Sequence, residues 1–268
     1  MLQPKTILKI EKLSYKYPDS KSNTFILKDI NFTLNENEIL VILGQSGCGK
    51  STLFKNLLGL ASPTEGKIFI EGDELNTSNK KFLKEYYKRI GVLFQSGALI
   101  NSLDIEKNLK LPLDENTALD DEIKKIMVGI KLRWVGLGES AERMPSELSG
   151  GMKKRAALAR ALMLDPKILF FDEPHSGLDP IISFEINNLI LKIRSAFRMS
   201  LVVITHDISS AFFLADNILL LKGGQAHFFG TKENFENQMR FDEYINDFVN
   251  VSRFQSKHML NPSQSKRK

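Results

Sequence analysis

The sequence predicts an α/β protein built on a parallel sheet, with an antiparallel portion near its start and a mostly helical insert. Three observations carry this expectation. The continuous apolar runs "EILVIL" (38–43), "ILFF" (168–171) and "LVVI" (201–204) suit strands buried on both faces. A helical pattern follows each of them, which is the βαβ alternation of a doubly wound sheet. Between Leu99 and Pro166 the apolar spacing becomes helical.

Taken in order, "TILKIEKLSYKY" (6–17) and "KDINFTL" (28–34) alternate like antiparallel strands. After "EILVIL", the segment "GKSTLFKNLLGL" has Leu53, Leu57 and Leu58 at helical spacing, with Gly59 as a stop. "SPTEG" reads as a turn, "KIFIEG" as a short strand and "RIGVLFQ" as a buried one. Between these two strands, "KKFLKEYYKR" (80–89) forms a helix with Lys80, Lys84 and Lys88 on one solvated face. The insert contains "SLDIEKNLKLPL", "DENTALDDEIKKIMVGIKL" and "SELSGGMKKRAALARALML". Near the end, "RFDEYINDFVN" places Phe241, Tyr244, Ile245, Phe248 and Val249 on one apolar helical stripe.

Composition narrows the classes. A chain of 268 residues that is 42% hydrophobic can bury a sizeable core. No apolar run reaches the roughly 18 residues of a membrane span, and "MLQPKTILKI" lacks the apolar core of a signal peptide. One cysteine allows no internal disulfide and points to a reducing compartment; the four histidines (175, 206, 227, 258) lack ligand spacing. The net charge of +5 sits in the tail, where Arg253, Lys257, Lys266, Arg267 and Lys268 have no acid among them. That tail is too short and too poor in aromatics to argue for nucleic acid, and it reads as solvated surface.

The chemistry begins at "GQSGCGKST". Gly44, Gly49, Lys50 and Ser51 satisfy G-x-x-x-x-G-K-[ST] between a buried strand and a helix, the context that a phosphate-binding loop requires. Residues Gly44, Gln45, Ser46, Gly47, Cys48, Gly49, Lys50, Ser51 and Thr52 can turn backbone N–H groups onto phosphate oxygens, aided by the positive end of the helix. Lys50 adds a cation for the β and γ phosphates of ATP, and the Ser51 hydroxyl can ligate Mg²⁺. Cys48 lends its backbone and is not read as a redox thiol. Two adjacent carboxylates after "ILFF" are costly near a core unless a cation or a proton transfer uses them. Asp172 is therefore assigned to the Mg²⁺ shell and Glu173 to the general base that takes the attacking water's proton. These features make the fold a P-loop NTPase core.

The sequence resembles the ATP-binding cassette (ABC) ATPases over nearly its whole length. "LSGGM" (148–152) opens a helix, with Ser149 as its cap and Gly150 and Gly151 leaving N–H groups clear for an anion. "VLFQSG" with Gln95, "SGLDP" with Asp179 and "VVITHD" with His206 stand in family order. The resemblance implies a RecA-like cassette over 1–239, with a helical subdomain at about 99–165 and a C-terminal extension at 240–268. It implies two ATP molecules sandwiched between two copies of the chain. Lys50, Ser51, Gln95 (also at the metal), Asp172, Glu173 and His206 would surround the γ-phosphate in cis, with His206 orienting the water. Ser149, Gly150 and Gly151 would reach the same phosphate in trans, with Asp179 at the boundary. Tyr17 is the aromatic expected to stack on adenine, with Tyr15 as an outward strand residue.

The short stretch between Gln95 and Leu148 leaves no room for the coiled coils of chromosome and repair ATPases, so a transporter motor with its channel on another polypeptide is expected. "LFQSGALINSLDIEKNL", "MPSELSGGMKKRAALARAL" and "FDEPHSGLDPI" resemble the ATPase subunits of Mla/MCE phospholipid transporters, including Met152 where most cassettes have Gln. His175 and the cationic tail depart from that pattern. The alternative is the cassette of an amino acid or metal importer; a cassette acting on nucleic acid ranks below both. The resemblance implies a peripheral subunit on the cytoplasmic face of the inner membrane, bound to an integral permease that docks near 96–108. MCE-type substrate-binding and small accessory subunits are the further expected partners. The C-terminal stripe can pack on its own subunit or reach the second copy; in the latter case truncation after Gln238 leaves monomer melting unchanged and costs assembly.

Overall fold

The structure, a computed structural model, describes residues 5–18 and 24–259, with side chains as far as Ser252. In chain order, β1 (Thr6–Tyr15) and β2 (Leu27–Asn35) precede β3 (Ile39–Gly44) and α1 (Lys50–Leu57). Then come β4 (Glu65–Ile70), β5 (Asp73–Glu74), α2 (Lys80–Arg89) and β6 (Ile90–Leu93). The insert holds α3 (Ile105–Asn116) and α4 (Asp121–Trp134) and ends in α5 (Gly150–Ala161). The chain continues through β7 (Ile168–Asp172), α6 (Pro180–Phe197), β8 (Ser200–Ile204) and α7 (Ile208–Leu214). It closes with β9 (Asn217–Lys222), β10 (Gln225–Thr231), α8 (Lys232–Gln238) and α9 (Glu243–Met259).

The larger sheet has the order β10-β9-β3-β8-β7-β6, parallel except for β10. Its inner strands β3, β8 and β7 are apolar nearly throughout because each feeds two cores in alternation. Ile39, Val41 and Leu43 point into one core with Leu169, Phe171, Leu201 and Val203. Leu40 and Ile42 point into the other with Ile168, Phe170, Val202 and Ile204. The first core is roofed by the insert and by α6 and α7; the second by α1 and the antiparallel sheet β2-β1-β4-β5. A period-2 pattern cannot show when both faces are buried, which is why these strands read as unbroken apolar runs.

The antiparallel sheet is tied to the turn between β9 and β10. The Lys28 N–H donates to the Gly224 carbonyl (2.9 Å), and the Gly224 N–H donates to the Cys48 carbonyl (3.1 Å). Gly224 has φ +80°, and a Cβ there would lie 2.2 Å from the Ile26 carbonyl oxygen, so this close approach requires glycine. In the insert, Asp104 caps α3 by accepting the Lys107 N–H (2.7 Å). Buried Asn108 accepts from the Ile100 N–H and donates to the carbonyls of Ile100, Leu103 and Asp104, which fixes the approach to the helix. On α2, Lys80 and Lys84 are exposed, while Tyr86 is buried and donates its hydroxyl to the Leu57 carbonyl (2.6 Å). The edge strands β5 and β10 and the short α8 carry no clear periodicity. Along β10 exposed and half-buried residues alternate, but none is fully buried, so its sequence carries no clear apolar alternation.

The C-terminal helix lies on its own subunit. Ile245 (1% exposed) and Val249 (0%) join the first core together with Phe248 and, at its margin, Tyr244. Phe241, expected on the same stripe, is 84% exposed because it stands in the turn before α9 begins. The expectation that truncation after Gln238 leaves monomer melting unchanged is therefore corrected: removing α9 uncovers core. Lys266, Arg267 and Lys268 lie outside the described residues, as do the side chains of Arg253 and Lys257. Among the described residues no helix is long and apolar enough to cross a membrane. Ile245→Ala is expected to lower the unfolding free energy by about 2–5 kcal/mol, and Phe241→Ala by less than about 0.5 kcal/mol, as read by urea denaturation; equal costs would detach α9 from the core.

Candidate functional site

The parallel strands end on one edge of the sheet, where loops leaving neighbouring strands converge. β3 runs into the phosphate loop, β7 into Asp172 and Glu173, β8 into His206, and β6 into Gln95. Pairing of Asp172 with Ile204, and of Ile42 with the same Ile204, levels these ends with one another.

The loop closes over its own backbone. Lys50 Nζ donates to the carbonyls of Gly44 (2.6 Å) and Gln45 (2.9 Å), which folds the ammonium onto the loop. A Cβ on Gly44, at φ +155°, would lie 2.4 Å from Cys48 Sγ and 2.7 Å from the Leu221 carbonyl oxygen. The turn thus tolerates no side chain at its first residue. Cys48 is buried beneath the loop, and burial pushes its thiol pKa up against the pull of Lys50, so it stays a protonated packing group.

Opposite the loop stands the acidic side. Glu173 adopts a left-handed φ of +46° and donates its N–H to the Ile204 carbonyl (2.9 Å). This strained backbone turns its carboxylate toward β8. Glu173 Oε1 accepts from His206 Nδ1 (2.9 Å), and Oε2 accepts from the Thr205 hydroxyl (3.3 Å), itself an acceptor for the Asp207 N–H (3.0 Å). Burial pushes the Asp172 carboxyl up and neighbouring Glu173 adds to this, while Lys154 and Lys50 oppose it. Gln95 Nε2 donates to the Ser176 hydroxyl (3.0 Å), linking the β6 and β7 loops.

These groups share a cavity of about 870 Å³. It is lined by Gly44, Gln45, Ser46, Gly47, Gly49, Lys50, Ser51 and Thr52, facing Gln95, Asp172, Glu173 and His206. Ser51, Gln95 and Asp172 line the same cavity and carry the hydroxyl, amide and carboxylate oxygens that suit a divalent cation keeping most of its ligands as water and phosphate oxygens. Among the described residues no cluster of three or more His, Cys, Asp or Glu forms a self-contained metal site.

Other expected residues lie outside the cavity lining. Tyr17 is partly exposed and shares a hydrogen bond with Thr52 Oγ1 (3.1 Å), which holds its ring beside α1. Ser149 caps α5 through the Met152 N–H (3.3 Å), with Gly150 and Gly151 in the first turn. Asp179 caps α6 by accepting from the N–H groups of Ile181 and Ile182 (both 3.0 Å). His175, the departure noted above, is buried, and burial pushes its pKa down so that it stays neutral. The sequence did not reveal that α9 forms a wall of the cavity with Tyr244, Asp247, Phe248, Val251 and Ser252. The stripe that includes Tyr244 and Phe248 is the available signal, and its periodicity shows an apolar face without showing that the helix borders this cavity. The ring of Tyr244 lies under Lys222 Nζ (3.9 Å) and against His227, which anchors that wall.

Because Glu173 accepts its Nδ1–H, His206 has a pKa raised above 6.5, and desolvation only partly opposes this. The stability from the pair is complete below the ordinary histidine pKa of about 6.5 and is lost as pH rises through the higher folded value. An NMR titration of the ring should show a midpoint above 6.5 that moves down in Glu173→Gln. An unchanged midpoint would separate the two groups.

Comparison with known proteins accords with this geometry. The family described as ABC transporter matches residues 27–176. The chain is 36% identical over 227 residues to a Haemophilus influenzae protein named intermembrane phospholipid transport system ATP-binding protein MlaF, covering 85% of this chain and 84% of that one. It is 40% identical over 208 residues to the probable ribonucleotide transport ATP-binding protein mkl of Mycobacterium tuberculosis, covering 78% of this chain but only 58% of that one. A dimeric post-hydrolysis state of an ATP-binding cassette holding ADP and phosphate superposes with a TM-score of 0.77 at 31% identity, covering 84% of this chain and 98% of that chain. With that family match over more than half of its length and the signature "LSGGM" (148–152) at the start of α5 on the same fold, the chain belongs to the ABC transporter family.

Proposed function

We propose that the protein is an ATPase whose hydrolysis of ATP powers phospholipid movement through a separate membrane permease. The observation that carries the ATPase reading is the opposition of Lys50 and the phosphate loop to Asp172, Glu173 and His206 across one cavity. The loop N–H groups and Lys50 bind the β and γ phosphates. Bound Mg²⁺, held through Ser51, Gln95 and Asp172, supplies charge neutralisation at the phosphates. Glu173 takes a proton from water as its oxygen attacks the γ-phosphorus, and ADP leaves with the bridging oxygen. His206 holds the Glu173 carboxylate in line and senses the same phosphate. Tyr17, beside Thr52, stacks on adenine.

A second copy of the chain completes each site. Ser149 and Gly150 are exposed at the N-terminus of a 12-residue helix, with Gly151 buried in its first turn, and this end meets the partner's γ-phosphate, with Asp179 bordering the same junction. Closure on ATP and reopening after hydrolysis move the insert through Gln95, and a permease helix docks near 96–108. The chain acts as a peripheral subunit at the cytoplasmic face of the inner membrane, with MCE-type and small accessory subunits as further partners. Its coverage of the MlaF relative, over most of both chains, favours phospholipid as cargo. The name of the mycobacterial relative favours a nucleotide-type solute as the second reading.

Glu173→Gln should bind ATP but lose turnover by about 100-fold or more, with closed dimers accumulating; near-normal turnover removes Glu173 from the base role. Ser149→Arg should leave ATP binding by the isolated subunit intact and block closure, whereas equal loss of monomer binding would contradict the shared site. For cargo, deletion of the subunit should disturb membrane lipid distribution and detergent tolerance. Normal lipids with failed accumulation of a small solute would establish the alternative importer.

A further inference from the structure

Lys154 lies on α5, one turn beyond the signature, and is only 6% exposed. Its Nζ donates to the Gln95 carbonyl in a short hydrogen bond and reaches the Glu173 carbonyl at 3.4 Å. These acceptors follow the ends of two neighbouring strands, β6 and β7, so one ammonium spans the catalytic edge from beneath. Two turns further along the helix, Arg160 donates to the carbonyls of Ala98 (2.7 Å) and Gly97 (3.1 Å). The same helix thus grips the Gln95 loop at both ends. Burying an ammonium is expensive unless hydrogen bonds answer it, and the Gln95 and Glu173 carbonyls are its acceptors here. A packing role alone would be served by an apolar side chain.

We propose that Lys154 is a positioning residue: it sets the signature helix against Gln95 and Glu173 of its own chain, so that Ser149–Gly151 are offered to a second copy only from an assembled catalytic edge. The inference rests on the reading of Glu173 as general base and of the signature as acting in trans. Lys154 is not among the residues that line the cavity, and the phosphate loop is held by Lys50 independently of it, so its loss should affect turnover and not nucleotide capture.

The test compares Lys154→Met, which keeps length and removes charge and donors, with Lys154→Arg, which restores both. Affinity of the full chain for a fluorescent ATP analogue, kcat, KM and thermal unfolding are measured on the same preparations. K154M should bind the analogue within about twofold of the parent and lose about tenfold or more in kcat, and K154R should recover to within about threefold. Turnover of K154M within about twofold of the parent overturns the proposal. So does a K154R that falls as far as K154M, or a K154M whose nucleotide affinity falls in parallel with its kcat, since either marks a merely structural lysine. If K154M does not fold, Lys154→Gln, which keeps an amide donor, is judged by the same criteria. Glu173→Gln run alongside separates the two readings: an active E173Q removes the base assignment whichever way Lys154 falls.

Discussion

The backbone ladder joining β3, β8 and β7 is the constraint on which the site depends. Its parallel register brings Gly44, Asp172 and Ile204 to one edge. A phosphate cradle, a pair of carboxylates and a histidine therefore meet although they are far apart in sequence. The ladder holds because both of its faces are buried, and a one-residue slip would exchange the two cores and misalign the edge. The proposed chemistry depends on this register as directly as on the identity of Lys50 or Glu173.

Much of this was legible in the chain. Unbroken apolar runs at 39–43, 168–171 and 201–204 identify strands covered on both sides, and the glycines of the loop identify a backbone that no side chain may crowd. What was not legible depends on contacts across long sequence separations. β10 lacks a clear apolar alternation because it lies on an edge, with one face exposed and the other only half-buried. Lys154 looks like any lysine in "GMKKRAAL" until the fold brings Gln95 and Glu173 above it. Helical spacing around 244–251 shows an apolar face but not what it covers, and Phe241 was assigned to that face because periodicity does not locate the first turn of a helix.

The position of α9 alters how the cavity is understood. Tyr244 and Val251 stand with the phosphate loop and His206 around one cavity, while Ile245 and Val249 are sealed in the core. The helix is at once part of the wall and part of the hydrophobic interior: Ile245 and Val249 serve only the core, whereas Phe248 belongs to both. Tyr244, clamped by Lys222 and His227, joins the two functions.

The hydrogen bond from Gly224 to the Cys48 carbonyl, with Lys28 bonded to Gly224 in turn, has a consequence for biosynthesis. The loop can leave the ribosome early as a flexible glycine turn, but the contact that braces it from behind belongs to a hairpin made much later. At synthesis rates of about 5–20 residues per second, roughly ten seconds or more separate the two. Closing so long a loop is slow on topological grounds as well. During that interval the nascent chain carries the nucleotide motif without its brace, and the cradle becomes rigid only when nearly the whole cassette has emerged.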